Sequence, residues 1–193
     1  MFVLYAVIAG LALGLVVGGR LSGLARLEFR WAPLIALGMA TQVVLFADPV
    51  ASRVGSAGPV IYVASTLVVL VAVIRNWRIP GLVVVAAGAA SNLAAIVANG
   101  GYMPASAGAL AALGRAEPST YSNSTYLAEP ALAPLTDIFA MPTWIPFANV
   151  FSVGDVLIAL GVAVVIVSAM RSVRVEAAEA GENGPLADGA PGN

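Results

Sequence analysis

Asn149-Val150-Phe151-Ser152-Val153-Gly154-Asp155 opens an apolar run that continues to Met170. The reading of that run, residues 150–170, decides the fold class. As a helix it is long enough to cross the roughly 30 Å hydrocarbon core of a bilayer, which takes about 20 mostly apolar residues. It also carries one carboxylate, Asp155, near its start. A carboxylate inside a spanning segment is costly and marks a functional site by default. Upstream, Asn99-Gly100-Gly101-Tyr102-Met103-Pro104 closes another apolar run. The two polar motifs face each other across one long loop.

The whole chain has the composition of an integral membrane protein. Of its 193 residues, 60% are hydrophobic and only 10% are charged, where soluble domains carry about 25% charged residues. There is no Cys, no His and no Lys. That excludes disulfides, thiol nucleophiles, imidazole bases, Schiff-base chemistry and the usual zinc ligands, so neither a metal nor a cofactor is expected. A net charge of -1 with no basic cluster argues against nucleic acid as a partner.

Four further runs resemble 150–170: residues 1–19, 31–47, 59–73 and 79–99. In lipid every backbone polar group needs an internal partner, so these runs are expected to be helices. The predicted fold is an all-α membrane protein, a bundle of five transmembrane helices within residues 1–174. A long structured outer loop, residues 100–149, joins the fourth and fifth. Residues 175–193 are acidic and rich in Gly and Pro, and are expected to be a disordered cytoplasmic tail. The first run has no basic segment before it, which favours a retained helix over a cleaved signal peptide. Its Gly10, Gly14 and Gly18, with Ala6 in phase, have the spacing that lets membrane helices approach closely.

Arginines predict the orientation. Arg20, Arg26, Arg30, Arg75, Arg78, Arg171 and Arg174 fall on one side of a five-span chain, and only Arg53 and Arg115 on the other. The excess marks the cytoplasmic side. The N-terminus is then outside and the C-terminus inside the cytoplasmic membrane.

Depth along each helix follows from a rise of 1.5 Å per residue. Asp155 lies roughly 9 Å below Asn149, Asn92 roughly 10 Å below Asn99, and Gln42 roughly 9 Å below Asp48. Ser65 lies at a similar depth. Four helices thus place a polar side chain in one thin outer layer. Gly88, Asn92, Ala95 and Asn99 share a helical face, as do Asn149, Ser152 and Asp155. The candidate ligand-binding residues are Asp155, Asn149, Ser152, Asn92, Asn99, Gln42, Gly100 and Gly101. The candidate catalytic residues are Asp155 and Asp137. Polar side chains of this kind also serve as interhelical glue, and Asp155 would then cap its helix or bond Asn92. Gly100-Gly101 has the form of a helix stop, with backbone capture of an anionic headgroup as the alternative. In the loop, residues 105–115 are helix-prone, and Pro134-Leu135-Thr136-Asp137-Ile138-Phe139 returns to apolar chain as part of a cap over the polar layer.

These motifs carry a resemblance. Asn99-Gly100-Gly101-Tyr102-Met103-Pro104, then Asp137-Ile138-Phe139, then Asn149 to Asp155 resemble the signature of an uncharacterised bacterial family of small polytopic membrane proteins with no assigned activity. A more distant architectural resemblance is to lipoprotein signal peptidases (signal peptidase II), which are membrane aspartyl proteases. Phe147-Ala148-Asn149 followed by Asp155 looks like a stretched form of their Phe-Asn-x-x-Asp motif. Asn92 matches the Asn of their other motif, Gly-Asn-x-x-Asp-Arg, but Ala95 stands where that motif's catalytic Asp belongs. Three functions are therefore open. One is an outward-facing polar pocket around Asp155 that binds a membrane lipid, a lipopeptide or a partner helix. The second is an intramembrane aspartyl-type hydrolase using Asp155 and Asp137. The third is an ion- or proton-coupled transport component, for which residues 156–170 offer only Ser168 as a polar step.

Overall fold

The computed structural model of the protein describes residues 2–114 and 124–182. It is mostly helical. In chain order the helices are α1 (Phe2–Val16), α2 (Ala32–Leu45), the short α3 (Asp48–Ala51), α4 (Ala57–Arg75), α5 (Leu82–Ala98), the short α6 (Ala107–Ala112) and α7 (Val153–Glu182). Two of them contain segments long and apolar enough to cross a membrane by length and composition, Ala57–Arg75 and Val153–Ser172. The other three apolar helices, α1, α2 and α5, have 15, 14 and 17 residues. At 1.5 Å per residue they reach only about 21–26 Å.

The shortfall from five uniform spans has local causes. Gly18 takes φ 78° just after α1 and turns the chain toward a 3-10 stretch, Leu21–Arg26. Trp31 is left-handed at the start of α2, where Pro33 fits the first turn. Gly81, at φ 93°, starts α5. At the other end α7 runs on to Glu182. Residues 183–193 of the expected tail, and Arg115 of the charge count, lie outside the described residues.

The helices pack in the order α1, α7, α5, α4, α2. Glycines make the tightest seam possible. A methyl group on Gly88 would sit 2.4 Å from the Gly154 carbonyl oxygen, and one on Gly81 would sit 2.3 Å from that of Gly161. The pairs 88–154 and 81–161 step in opposite directions along the two chains, so α5 and α7 run antiparallel in a fixed register. On its other side α7 receives α1. There Gly10 meets the Ala163 backbone and Gly14 meets the Met170 side chain. Close backbone approach of this kind gains many dispersion contacts between the helices. Between α2 and α4, Gly38 admits Val69.

The outer loop is structured and is not helical throughout, which corrects a strictly all-α reading. Its strands are β1 (Met103–Ala105), β2 (Ser124–Tyr126), β3 (Phe139–Ala140) and β4 (Val150–Phe151). β1 pairs in parallel with β2, and β3 pairs antiparallel with β4. The expected short helix in residues 105–115 is α6, capped by the Ser106 hydroxyl accepting from the Ala109 N–H at 3.1 Å. Aromatic contacts tie the loop to the N-terminus of α1. Phe2 stacks on Phe151 with centroids 4.5 Å apart, and the Tyr5 hydroxyl donates to the Pro146 carbonyl.

Two glycine substitutions separate the seam from the surface. Gly154→Ala is expected to lower stability by about 1–3 kcal/mol through overpacking. Gly108→Ala, in open space on α6, is expected to raise it by about 0.5–1 kcal/mol through helix propensity. Thermal unfolding of the purified chain in one detergent checks both signs.

Candidate functional site

Ser152 and Asp155 begin α7 as a reciprocal cap. The Asp155 N–H donates to the Ser152 hydroxyl at 3.0 Å, and the Ser152 N–H donates to the second carboxylate oxygen, Oδ2, at 3.1 Å. This is the capping-box arrangement with Asp in the place of Glu, and it satisfies two of the N–H groups a helix start leaves orphaned. A carboxylate in the first turn also faces the positive end of the helix dipole.

Asn92, on α5, closes the arrangement. Its Nδ2 donates to Asp155 Oδ1 at 2.9 Å, and its Oδ1 accepts from the Ser152 hydroxyl at 2.8 Å. The one amide therefore spans both members of the cap. Gly154 makes this possible, since a methyl there would lie 2.0 Å from Asn92 Oδ1. Ser152 is fully buried. Asp155 uses one acceptor position on each oxygen, and a carboxylate has about four, so it keeps capacity for another donor.

The remaining capacity faces a cavity of about 140 Å³ at the loop end of the bundle. Asp155, Asn92, Asn149 and Asp137 supply its polar wall, and Tyr62, Met103 and Ile96 are among its other lining residues. Asp137 arrives from the loop. Its N–H donates to the Pro104 carbonyl at 2.9 Å, and its own carbonyl accepts from the Ser106 N–H at 3.0 Å. It thereby adds one bridge beside β1, at Ala105. The chain is pinned on both sides of the side chain, and Asp137 is only 5% exposed. The sequence candidates Asp155, Asp137, Asn92 and Asn149 thus meet at one cavity. Ser152 supports it from behind, as the cap.

Four candidates stand elsewhere. Gln42 donates to the Thr66 hydroxyl at 3.2 Å and ties α2 to α4. Asn99 clips the loop instead, donating to the Ala131 carbonyl at 2.9 Å and accepting from its N–H at 2.8 Å. Gly100 and Gly101 terminate α5 with φ of 70° and 91°, and the Gly101 N–H reaches back to the Ile96 carbonyl at 2.8 Å. Gly101 packs on Pro59, where a methyl would lie 2.3 Å from the ring. Both glycines are a left-handed helix stop. Ala95, at the position of the missing second aspartate, is fully buried beside Leu45, Tyr62, Ile96 and Met103. Sequence reasoning missed Tyr62 and Met103 as cavity residues, because they carry the same apolar signal as any core position.

Ser152→Ala is expected to cost about 1 kcal/mol as a lost helix cap. Asn92→Ala and Ser152→Ala should be non-additive, with a coupling of about 0.5–3 kcal/mol, because one amide serves both groups. A double-mutant cycle on unfolding in detergent measures it.

Residues 26–167 match a family model described as "Family of unknown function (DUF5317)". No curated protein and no solved structure matches the chain. The family match spans the 3-10 stretch's last residue, the Asn92–Ser152–Asp155 cap and the loop carrying Asp137. The chain is a member of this family of unknown function.

Proposed function

We propose that the protein is a five-span component of the bacterial cytoplasmic membrane, with its N-terminus outside, whose loop-end pocket holds a cationic group of a lipid or lipopeptide. Exposed apolar side chains on all the long helices support the membrane setting. Val16, Val43, Val60, Val83 and Leu160 are each more than half exposed, and apolar faces this extensive call for lipid around them. The shorter helices reach the interfaces through their flanking turns and local thinning of the bilayer.

One observation carries the pocket reading: Asp137 and Asp155 line the same small cavity, together with two amides. A cation entering this cavity would face both carboxyl groups at once, and opposite charge at close range favours the ionised carboxylate. The cavity is smaller than the 300–1,000 Å³ of drug-sized ligand sites and takes a few waters or one small polar group. An ammonium group, with three donors and no acceptor, suits that wall of oxygens. The amino group of a phospholipid headgroup or the N-terminal amine of a lipopeptide has this chemistry.

The same observation favours a second reading, aspartyl hydrolysis. Two carboxylates sharing a proton form the acid–base pair of aspartic proteases. Here one would come from the loop, Asp137, and one from α7, Asp155.

The test is binding and cleavage on one set of variants. Nanodiscs holding the full chain should retain phosphatidylethanolamine over phosphatidylcholine, and Asp137→Asn and Asp155→Asn should each weaken retention about tenfold or more, as loss of a buried charge contact does. Equal retention of both lipids by the parent and both variants would sink the binding reading. Cleavage of a lipopeptide that both substitutions abolish would establish the hydrolase instead.

A further inference from the structure

At the opposite end of the bundle from the aspartate pocket, the links before α2 and α5 meet in a groove of about 320 Å³. Its wall includes Glu28, Arg30, Arg75, Asn76, Trp77 and Arg78. Three cations and one anion give it an excess of two positive charges. We propose that this groove binds the phosphate of an anionic phospholipid headgroup.

Three observations carry the proposal. The first is that the groove is built. Asn76 is buried, and its side chain clamps residue 30 to the end of α4. The Arg30 N–H donates to Asn76 Oδ1 at 2.7 Å, while Asn76 Nδ2 donates to the carbonyls of Arg30 and Ala72, each at 2.8 Å. This holds the backbone that bears Arg30 against the turn that bears Arg75 and Arg78.

The second is that the guanidinium edges are available. Among the described residues, no ion pair or hydrogen bond occupies the guanidinium of Arg30, Arg75 or Arg78. Arg75 lies over the Trp31 ring at 5.9 Å, and Arg78 over the Trp77 ring at 5.5 Å. A cation–π contact uses no N–H hydrogen bond, so these guanidinium groups keep their donors for bidentate contact with a phosphate.

The third is position. Trp31 and Trp77 are 48% and 59% exposed beside the groove, and Trp favours the headgroup level of a membrane. The groove volume falls within the usual range for ligand clefts, enough for a phosphodiester with its glycerol. Basic pockets between helices at this level bind anionic headgroups.

Arginine excess on one side of a membrane protein needs only charge to fix topology. Phosphate recognition needs the planar fork, and Lys is no substitute at a bidentate or stacked site. A chain with Arg30→Lys, Arg75→Lys and Arg78→Lys keeps the topological charge and removes the fork. The proposal rests on the membrane reading for the source of the phosphate, so the probes are chosen to separate the two. The full chain in neutral detergent is titrated with short-chain phosphatidylglycerol, short-chain phosphatidylcholine, glycerol 3-phosphate and inorganic phosphate.

The expected result is that phosphatidylglycerol binds best. The triple Lys chain should lose about tenfold or more in affinity, and Glu28→Gln should tighten binding. Equal binding of glycerol 3-phosphate and phosphatidylglycerol, still lost in the Lys chain, would keep the phosphate site but assign it to a soluble anion, against the lipid source. Binding unchanged in the Lys chain, or no binding of any phosphate by the parent, overturns the proposal. Membrane extraction of the Lys chain alongside the parent reads the membrane setting independently.

Discussion

The structure depends on a single amide. Asn92 reaches from α5 to the first turn of α7 and bonds both Ser152 and Asp155. Without it, a carboxylate and a hydroxyl would be left underpartnered in the crowded seam between two apolar helices, at a penalty of about 1–3 kcal/mol for each unmet group. With it, the start of α7 is fixed relative to α5, and so is everything the α7 start supports. β4 lies immediately before the cap and pairs with β3. Phe151 stacks on both Phe2 and Phe139. The cap therefore anchors the loop, the N-terminus of α1 and the pocket wall together.

Backbone approach is the precondition. Hydrogen-bonding reach from one helix to the next requires the axes to come closer than large side chains allow, and Gly88 and Gly154 permit that at the level of Asn92. The sequence places both glycines in apolar runs where they cost helix propensity. Their cost is offset by contacts that only a bare Cα can make. The loop uses a different device, since Asp137 is held by backbone bonds to β1 and the turn after it. One aspartate is thus set by a helix cap and the other by a strand edge.

Much of this was legible in advance. Apolar run length located the long helices to within a few residues, save the C-terminal end of α7, which runs to Glu182, twelve residues past the expected 170, because hydrophobic content is the signal that apolar helices carry most strongly. A polar residue in such a run is conspicuous, so Asp155 and Asn92 stood out, whereas Asp137 was a candidate only as a second carboxylate in the loop. What polarity alone did not carry was partnership. Gln42 and Asn99 lie at plausible depths and on plausible faces, yet Gln42 turns to Thr66 and Asn99 to Ala131. Depth along a helix is additive in residue number, but facing depends on how helices rotate against one another. The two-residue strands β3 and β4 were also illegible, since strands this short have no periodicity to detect. Tyr62 was hidden for the opposite reason, being one more large side chain in a hydrophobic run.

The paired glycines have a mechanical consequence. Gly81 with Gly161 and Gly88 with Gly154 repeat at the same interval on antiparallel helices. The two notches engage together or not at all. A piston displacement of α7 along α5 would set a notch against Val85 or Ile158, which already crowd the seam, so sliding is blocked at both levels. On its other face α7 is held by Gly10, Gly14 and Gly23 against Ala163, Met170 and Ala169, so the loop end and the arginine-lined end are kept at a fixed separation, as two ends of one rigid strut.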